Sequence, residues 1–474
     1  MRIVHWPRLA VALVPLMLAG CVMGPDYARP DVVQPGEFRS QITPADANSL
    51  ADRSWWEVFD DPALQNLISQ TLQNNNDLSV AVARIEQARA QVGVAKSEGL
   101  PQIGVDGFAG GQESFLPTPD EIGTAEFASV GGVIEAAWEF DIWGRIARQT
   151  EAARANLYAQ EEVRRGIMLA LVSDTASGYF RLLQLDRELA IAEESQAVFK
   201  KTHELFTLRF EAGRDSRLPV ERAKAALDST GARIADLKRQ IAEQENALSV
   251  LAGGYPHAIE RGQPLTAQRM PETPVGLTTD LVRRRPDIRR AEQDMIRANA
   301  QIGAAIADFY PRIGLSTLAG VIGVNGQGGL DGTFGLWQAG IGLAGPLFTG
   351  GRLESIYDER KAFWDESVAQ YRQTILVAFR ETSDALTAQQ TLVDRRASLE
   401  SQVAAMRQSV ELADTRYRAG RASYFEVIEA QQQLFPAEAE LARVQQAQLV
   451  AVVSLYKALG GGWKLDDAQW NRPG

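Results

Sequence analysis

Arg209-Phe210-Glu211-Ala212-Gly213-Arg214 returns 207 residues later as Arg416-Tyr417-Arg418-Ala419-Gly420-Arg421, and Gly144-Arg145 returns at the same spacing as Gly351-Arg352. Upstream, Asp77–Gly110 aligns without gaps on Asp287–Gly320 with 12 of 34 positions identical, among them Gly93/Gly303, Pro101/Pro311 and Gly110/Gly320. Chance helical similarity produces scattered Ala matches, but not the same Pro, Gly and Arg landmarks in the same order. The chain is one unit written twice.

Each unit reads helix, two strands, long helix, tight turn, helix. In the first, Asp61 supplies a cap and Pro62 the first helical position, predicting a helix to about Glu98, ahead of Pro101. From Gly144 to Phe210 there is no Pro, and Gly166 and Gly178 are the only internal Gly. That predicts a helix of about 67 residues, roughly 100 Å at 1.5 Å per residue. Leu171, Leu185, Ala192, Phe199 and Phe206 keep a seven-residue spacing, with Leu182 and Leu189 on the companion position, which is a coiled-coil seam. His203 lies on that seam and reads as a packed or pore-lining side chain. Gly213 and Gly420 become hairpin turns, and the returning helices run about Ser216–Ala252 and Ser423–Leu459, near half the long helix. A second short helix, about 62–98, could stack end to end with the first return helix. One long and two stacked short helices per unit suggest a cylinder roughly 100 Å tall.

In Ala128–Phe140 the even positions, including Val130, Ile134, Trp138 and Phe140, are apolar, whereas the odd ones include Ser129, Glu135 and Glu139. Trp337, Ala339, Ile341, Leu343 and Leu347 form a similar row in the second unit. One face suits lipid and the other water; a soluble sandwich edge would alternate too. The four strands are expected at 101–115, 127–141, 311–323 and 335–347, with loops at 116–126 and 324–333. Four strands cannot close into a spanning barrel, and eight leave a lumen filled by side chains. A conducting barrel then needs at least three chains, or twelve strands.

The amino terminus carries Arg2 and Arg8, an apolar run from Leu9 to Leu18, and then Leu18-Ala19-Gly20-Cys21. The run is a signal peptide, too short for a mature membrane span. Cys21 is the single cysteine; with three His, a cysteine-built zinc site, a disulfide framework and an iron–sulfur cluster are excluded. Lys and Arg total 49 against 60 Asp and Glu, a net charge of -11, which gives no footing on nucleic acid phosphates. The few His and Met also weigh against a dedicated copper or silver duct.

No motif points to catalysis. Gly345-Pro346-Leu347-Phe348-Thr349-Gly350-Gly351-Arg352 lacks the Gly-Lys-Ser/Thr ending of a phosphate loop and reads as a strand-to-helix corner. There is no Gly-x-Ser-x-Gly elbow and no His-Glu-x-x-His zinc motif. Arg283, Arg284 and Arg285 could form an anion patch, but read as a solvated helix start with capping and inter-helix salt bridges. The boundaries expected are a signal peptide at 1–20, an N-terminal segment at 21–61, repeats at 62–252 and 279–459, a Pro-rich linker at 253–278 and a C-terminal segment at 460–474. Trp55, Trp56, Trp463 and Trp470 would pack the two terminal segments around the cylinder's waist.

In Leu18-Ala19-Gly20-Cys21, Gly24-Pro25-Asp26-Tyr27, Trp55-Trp56 with Phe59-Asp60-Asp61-Pro62, Arg283-Arg284-Arg285-Pro286-Asp287-Ile288 with Ala291-Glu292, and Gly345-Pro346-Leu347-Phe348, the chain resembles the TolC-like outer membrane efflux protein family. Within it, the lipoprotein branch of OprM/NodT-type outer membrane factors is the nearer likeness. The resemblance implies a mostly α fold with a membrane β part: a trimeric α-helical barrel continuous with a 12-stranded outer-membrane β-barrel. It implies a homotrimer, no enzyme, no nucleic acid, and no cofactor beyond N-acyl and S-diacylglycerol lipid on Cys21 in the cell outer membrane. The implied role is the exit duct of a tripartite efflux system, with a periplasmic adaptor (membrane fusion protein) and an inner-membrane pump of the resistance–nodulation–division (RND) type. The hairpin tips, with Arg209, Gly213, Arg214, Arg416, Gly420 and Arg421, would dock the adaptor. The family's acidic ring at the entrance maps to Glu426 and Glu429, where Asp is more usual; three apart, they share a helix face. A type I-like duct for polypeptides, or an adaptor lipoprotein, are the alternatives.

Overall fold

The computed structural model describes residues 22–32, 59–117, 122–270, 284–326 and 332–461. Cys21, Trp55, Trp56, Arg283, Trp463 and Trp470 lie outside them. In chain order the elements are α1 (Pro62–Asn74), α2 (Asn76–Ser97), β1 (Gln102–Pro117), β2 (Ile122–Phe140), α3 (Arg145–Glu211) and α4 (Arg217–Leu251). They are followed by α5 (Pro286–Ala307), β3 (Arg312–Gly326), β4 (Gly332–Ala344), α6 (Arg352–Arg418) and α7 (Tyr424–Ala458). The duplication is visible in the lengths: α3 and α6 each have 67 residues, α4 and α7 each have 35, and α2 and α5 each have 22. The fold is mostly helical, with a duplicated helix–strand–strand–helix unit.

The helix expected from Pro62 to Glu98 is two helices. Asn75 breaks it with an extended ψ of 129°. Its side-chain oxygen caps α2 by accepting the Asp77 and Leu78 N–H groups at 2.9 and 3.3 Å, and its amide donates to the Leu251 carbonyl at 3.0 Å. The neighbouring Asn74 carbonyl closes on Gly253, where a Cβ would sit 2.3 Å from that oxygen. The end of α4 thus sets the break. The fourth strand also differs from expectation: it stops at Ala344 because Pro346 has no N–H for a ladder. Leu347 therefore lies beyond the apolar row it was expected to extend.

The chain divides into two compact units, and each draws on both repeats. The first comprises the stretch ending at Asp31, Ala83–Glu161 and Arg290–Tyr371; the second comprises Val32–Val82, Glu162–Arg289 and Arg372 onward.

The first unit holds a four-stranded antiparallel sheet in the order β1-β2-β3-β4, so the hairpins of the two repeats pair through β2 and β3. The register sets one apolar face across all four strands: Val105 pairs with Ile134, Ile134 with Ala319, and Ala319 with Trp337. A second row runs through Trp138, Leu315 and Ile341. The opposite face carries Asp106, Glu135, Ser129, Ser316 and Gln338, interspersed with Gly.

The second unit has the largest core. Leu64, Ile68 and Leu72 of α1 pack with Val172, Tyr179 and Phe180 of α3 and with Leu449, Val453 and Tyr456 of α7. Each such side chain contributes roughly 1.5–3 kcal/mol on burial. The seam of α3 is buried at Leu171, Leu182, Leu185, Ala192, Phe199 and Phe206. Leu185 and Ala192 meet Ile234 and Leu237 of α4, and Phe206 meets Ala223 and Ile428. His203 is half-buried on that seam. No described helix is long and apolar enough to cross a membrane.

Candidate functional site

In the sheet, Ile103, Val105, Val130, Ile134, Trp337, Ile341 and Leu343 all lie exposed on the apolar face. A water-facing surface would not hold such a row, whereas a lipid-facing one requires it. Among the described residues the outer edges of β1 and β4 have no strand partner. Each unpaired backbone group would cost several kcal/mol in hydrocarbon, so an open sheet cannot rest there alone. At the strand ends Trp143 stacks on Tyr310 with centroids 4.7 Å apart and donates its indole N–H to the Pro311 carbonyl at 2.8 Å. Trp138 donates to the Gly99 carbonyl at 3.0 Å. Aromatic rings with one polar tip suit a membrane interface.

Immediately after β2, the chain's amino-terminal stretch is fastened down. Val22 lies so close to Gly144 that a Cβ there would be 2.8 Å from its Cα, and the Met23 N–H donates to the Trp143 carbonyl at 3.0 Å. Arg148, nearly fully buried, donates to the carbonyls of Met23, Gly24 and Pro25 and to the Asp26 carboxylate. Farther on, Tyr27 donates to Glu292 at 3.4 Å and Arg29 to the same carboxylate at 2.6 Å. Burial, followed by the Glu292 charge, pushes the Tyr27 phenol well above the usual range. The sequence quoted Gly24–Tyr27 and Glu292 as separate landmarks; their pairing, and the role of Arg148, were not legible there.

In the second unit, both hairpin turns have the same construction. Gly213 and Gly420 adopt φ of +69° and +68°, and the following N–H groups, of Arg214 and Arg421, each donate to the carbonyl five residues back, of Arg209 and Arg416, at 2.8 Å. This is the Schellman ending that Gly favours. Arg209 lies over the Tyr417 ring at 5.5 Å, and Tyr417, Tyr424 and Phe206 form a chain of edge-to-face rings. The Tyr424 hydroxyl is 2.8 Å from Thr202 Oγ1, and burial raises its pKa. Arg214 and Arg421 are exposed.

Glu426 and Glu429 are exposed on the first turns of α7. Glu426 lies 3.8 Å from Arg416 across the hairpin, a pairing the sequence did not announce. Glu429 has no ion-pair partner among the described residues.

Two arginine clusters change the reading of charge in this unit. Glu188 of α3, 3% exposed, accepts from Arg233 of α4 and from Arg443 of α7, tying three helices together. Arg285, at the start of α5, is buried and not solvated, but it makes the expected inter-helix salt bridge: it donates to Glu381 at 2.7 Å, to Asp287 at 2.8 Å and to the Ala458 carbonyl at 2.9 Å. A cation is favourable where α7 ends. Among the described residues no group of three His, Cys, Asp or Glu could hold a metal ion. The arrangement offers a lipid-facing sheet, two helical hairpins and charged turns, which suit a conduit.

The profile of the family described as "Outer membrane efflux protein" matches residues 67–254 and 277–461. The chain is similar to the toluene efflux pump outer membrane protein TtgC of Pseudomonas putida, at 34% identity over 98% of this chain and 97% of the relative. It is similar to the cation efflux system protein CusC of Escherichia coli K12, at 31% over 96% and 99%. Its fold matches the open-state crystal structure of the MtrE outer membrane channel of Neisseria gonorrhoeae with a TM-score of 0.79 and 28% identity, covering 93% of this chain and 98% of that one.

Proposed function

The chain belongs to the outer membrane efflux protein family, whose members are outer membrane channels of efflux pumps rather than enzymes, and we propose that three copies form its working duct. The single observation carrying this reading is the four-stranded sheet with an exposed apolar face and two unpaired edges. Joining β4 of one copy to β1 of the next satisfies both edges, and three copies close a barrel of twelve strands, the smallest multiple of four above eight.

Lipid on Cys21 would add a second anchor. The strap from Val22 to Asp26 supports this, because it ends beside Gly144, where β2 passes into α3. The hairpin turns at Gly213 and Gly420 serve as the periplasmic entrance, where a membrane fusion protein docks through the Arg209, Arg214, Arg416 and Arg421 region. An RND-type inner-membrane pump delivers the cargo. Glu426 and Glu429 ring the entrance and favour cations, as carboxylate rings do in cation-selective pores.

The similarity to a toluene-pump channel and to a cation-system channel at comparable identity supports a duct that leaves cargo choice to its pump. The test is a deletion strain challenged with antibiotics, dyes, detergents, solvents and metals, complemented by the plasmid-borne gene. Sensitivity to several of these, restored by the gene, is expected. An unchanged panel with loss of secreted proteins would reassign the duct to polypeptide export. Cryo-electron microscopy in nanodiscs should show threefold symmetry, and mass spectrometry of the mature amino terminus should show a triacylated Cys21.

A further inference from the structure

Within the second unit a half-open groove of about 810 Å³ separates α3, α4 and α7. That volume lies in the range of pockets that hold small organic ligands. Small side chains, Ala192, Ala225, Ala226, Ser229 and Ala439, form part of its lining. Along α3 it runs from Glu188 to Phe199, roughly 17 Å at 1.5 Å per residue.

Its walls are of two kinds. Phe199, Phe435 and Phe425 supply aromatic surface, with Phe199 set edge-on to Phe435 at 5.8 Å. The charges are Arg222, Arg233 and Arg443 against Glu188 alone. Glu188 is shared by Arg233 and Arg443, which also pair with Asp236 and Glu440, so the charges at that end are answered within the protein. Toward the other end Arg222 has no carboxylate partner among the described residues; its guanidinium lies over the Phe425 ring at 5.0 Å.

An independent observation points into the same groove. Ser195 Oγ is buried in the α3 wall without any hydrogen-bond partner. Buried helical serines elsewhere in the chain bond back one turn, Ser173 to the Leu169 carbonyl and Ser249 to the Glu245 carbonyl, each at 2.8 Å. A buried hydroxyl left unpaired is costly, and a ligand acceptor would satisfy it.

We propose that this groove is a binding site for an amphipathic organic anion, with its aromatic or aliphatic body against Phe199 and Phe435 and its carboxylate or sulfonate held by Arg222. A guanidinium with free N–H donors beside an apolar wall recognises that combination, whereas a neutral ligand leaves the arginine unanswered and a cation is repelled.

The test uses the full assembled protein in phosphatidylcholine nanodiscs, with empty nanodiscs subtracted. It is titrated with 8-anilino-1-naphthalenesulfonate and with N-phenyl-1-naphthylamine, which has the same aromatic body without the charge. Saturable binding is expected for the sulfonate, about tenfold or more tighter than for the amine. Arg222→Gln should remove that difference and leave the amine unchanged, while Arg222→Lys retains most of it. Ser229→Phe, at an exposed lining position, should block both dyes. Should that variant misfold, the Arg222 pair decides alone. Absence of saturable binding, as when another chain fills the groove in the assembly, overturns the proposal. Equal affinity for the two dyes, or sulfonate binding indifferent to Arg222→Gln, overturns it as well.

Discussion

Tyr179 donates its phenolic hydrogen bond to Asp61 Oδ2 at 3.0 Å, across 118 residues of sequence, and both side chains are fully buried. Asp61 also caps α1 through the Ala63 and Leu64 N–H groups and accepts from Gln268 at 2.6 Å, while Tyr179 accepts the Gly262 N–H at 2.8 Å. Replacing Tyr179 by Phe leaves the buried Asp61 carboxylate and the Gly262 N–H each one partner short and should cost about 1–3 kcal/mol in denaturant unfolding. Burial, the largest cause, holds the phenol well above its ordinary value of 10.0. Because the folded value is raised, this stabilisation is complete below pH 10 and declines above it, as the unfolded chain begins to lose the proton. The Tyr179→Phe protein should show a smaller alkaline decline, since the raised Tyr27 and Tyr424 phenols keep their own share.

Two glycines with similar backbone angles should respond differently to alanine. Gly213, at φ +69°, faces open space, so Gly213→Ala should cost only the left-handed backbone penalty, about 1–2 kcal/mol. Gly253, at φ +76°, meets the Asn74 carbonyl at 2.3 Å from an added Cβ. Gly253→Ala should cost clearly more, because α4 must move away from the α1–α2 break. Thermal unfolding of the two variants side by side checks the order.

Glu188→Gln removes the charge shared by Arg233 and Arg443. With Glu188 buried but its partners nearly half exposed, the loss should be roughly 1–3 kcal/mol, below that of a fully buried pair. Near-neutral unfolding behaviour would show that water screens the cluster. Adding Arg443→Gln to that variant should cost little further, since the two changes act on one interaction.

At the proposed entrance the two glutamates should not be equivalent. Arg416 partly neutralises Glu426, whereas Glu429 has no such neighbour among the described residues. Reversal potentials of the reconstituted channel should shift more with Glu429→Gln than with Glu426→Gln, and most with both. Unchanged selectivity in an assembled double variant would reject the ring.

The long helices and their turns were readable because they depend on local chemistry. An unbroken run without Pro, a seven-residue apolar spacing and a Gly after the last turn each act within a few residues. The strand faces were readable for the same reason, since alternation is a two-residue property. The break at Asn75 was not, because it is imposed by Leu251 and Gly253, nearly 180 residues away. Glu188 carried no signal in the sequence, since its arginines lie 45 and 255 residues off. The end of β4 was written in Gly345-Pro346, but the apolar alternation carried the reading past it to Leu347. Arg416 and Glu426 were both singled out, yet only the closed hairpin brings them to 3.8 Å.

The fastening of the amino-terminal stretch has a bearing on the order of biogenesis. Tyr27, Arg29 and Pro25 find Glu292 and Asn299 at sequence separations of 265, 263 and 274 residues. The stretch from Pro25 to Arg29 has no complete seat until α5 has joined the fold. A chain truncated between the repeats keeps the Trp143 and Arg148 contacts to Val22–Asp26 but leaves Tyr27 and Arg29 without Glu292, beside a hairpin that lacks β3. Seating of Tyr27 and Arg29 on Glu292 therefore reports that the second repeat has arrived and folded, a checkpoint inherent in the topology that needs no separate sensor.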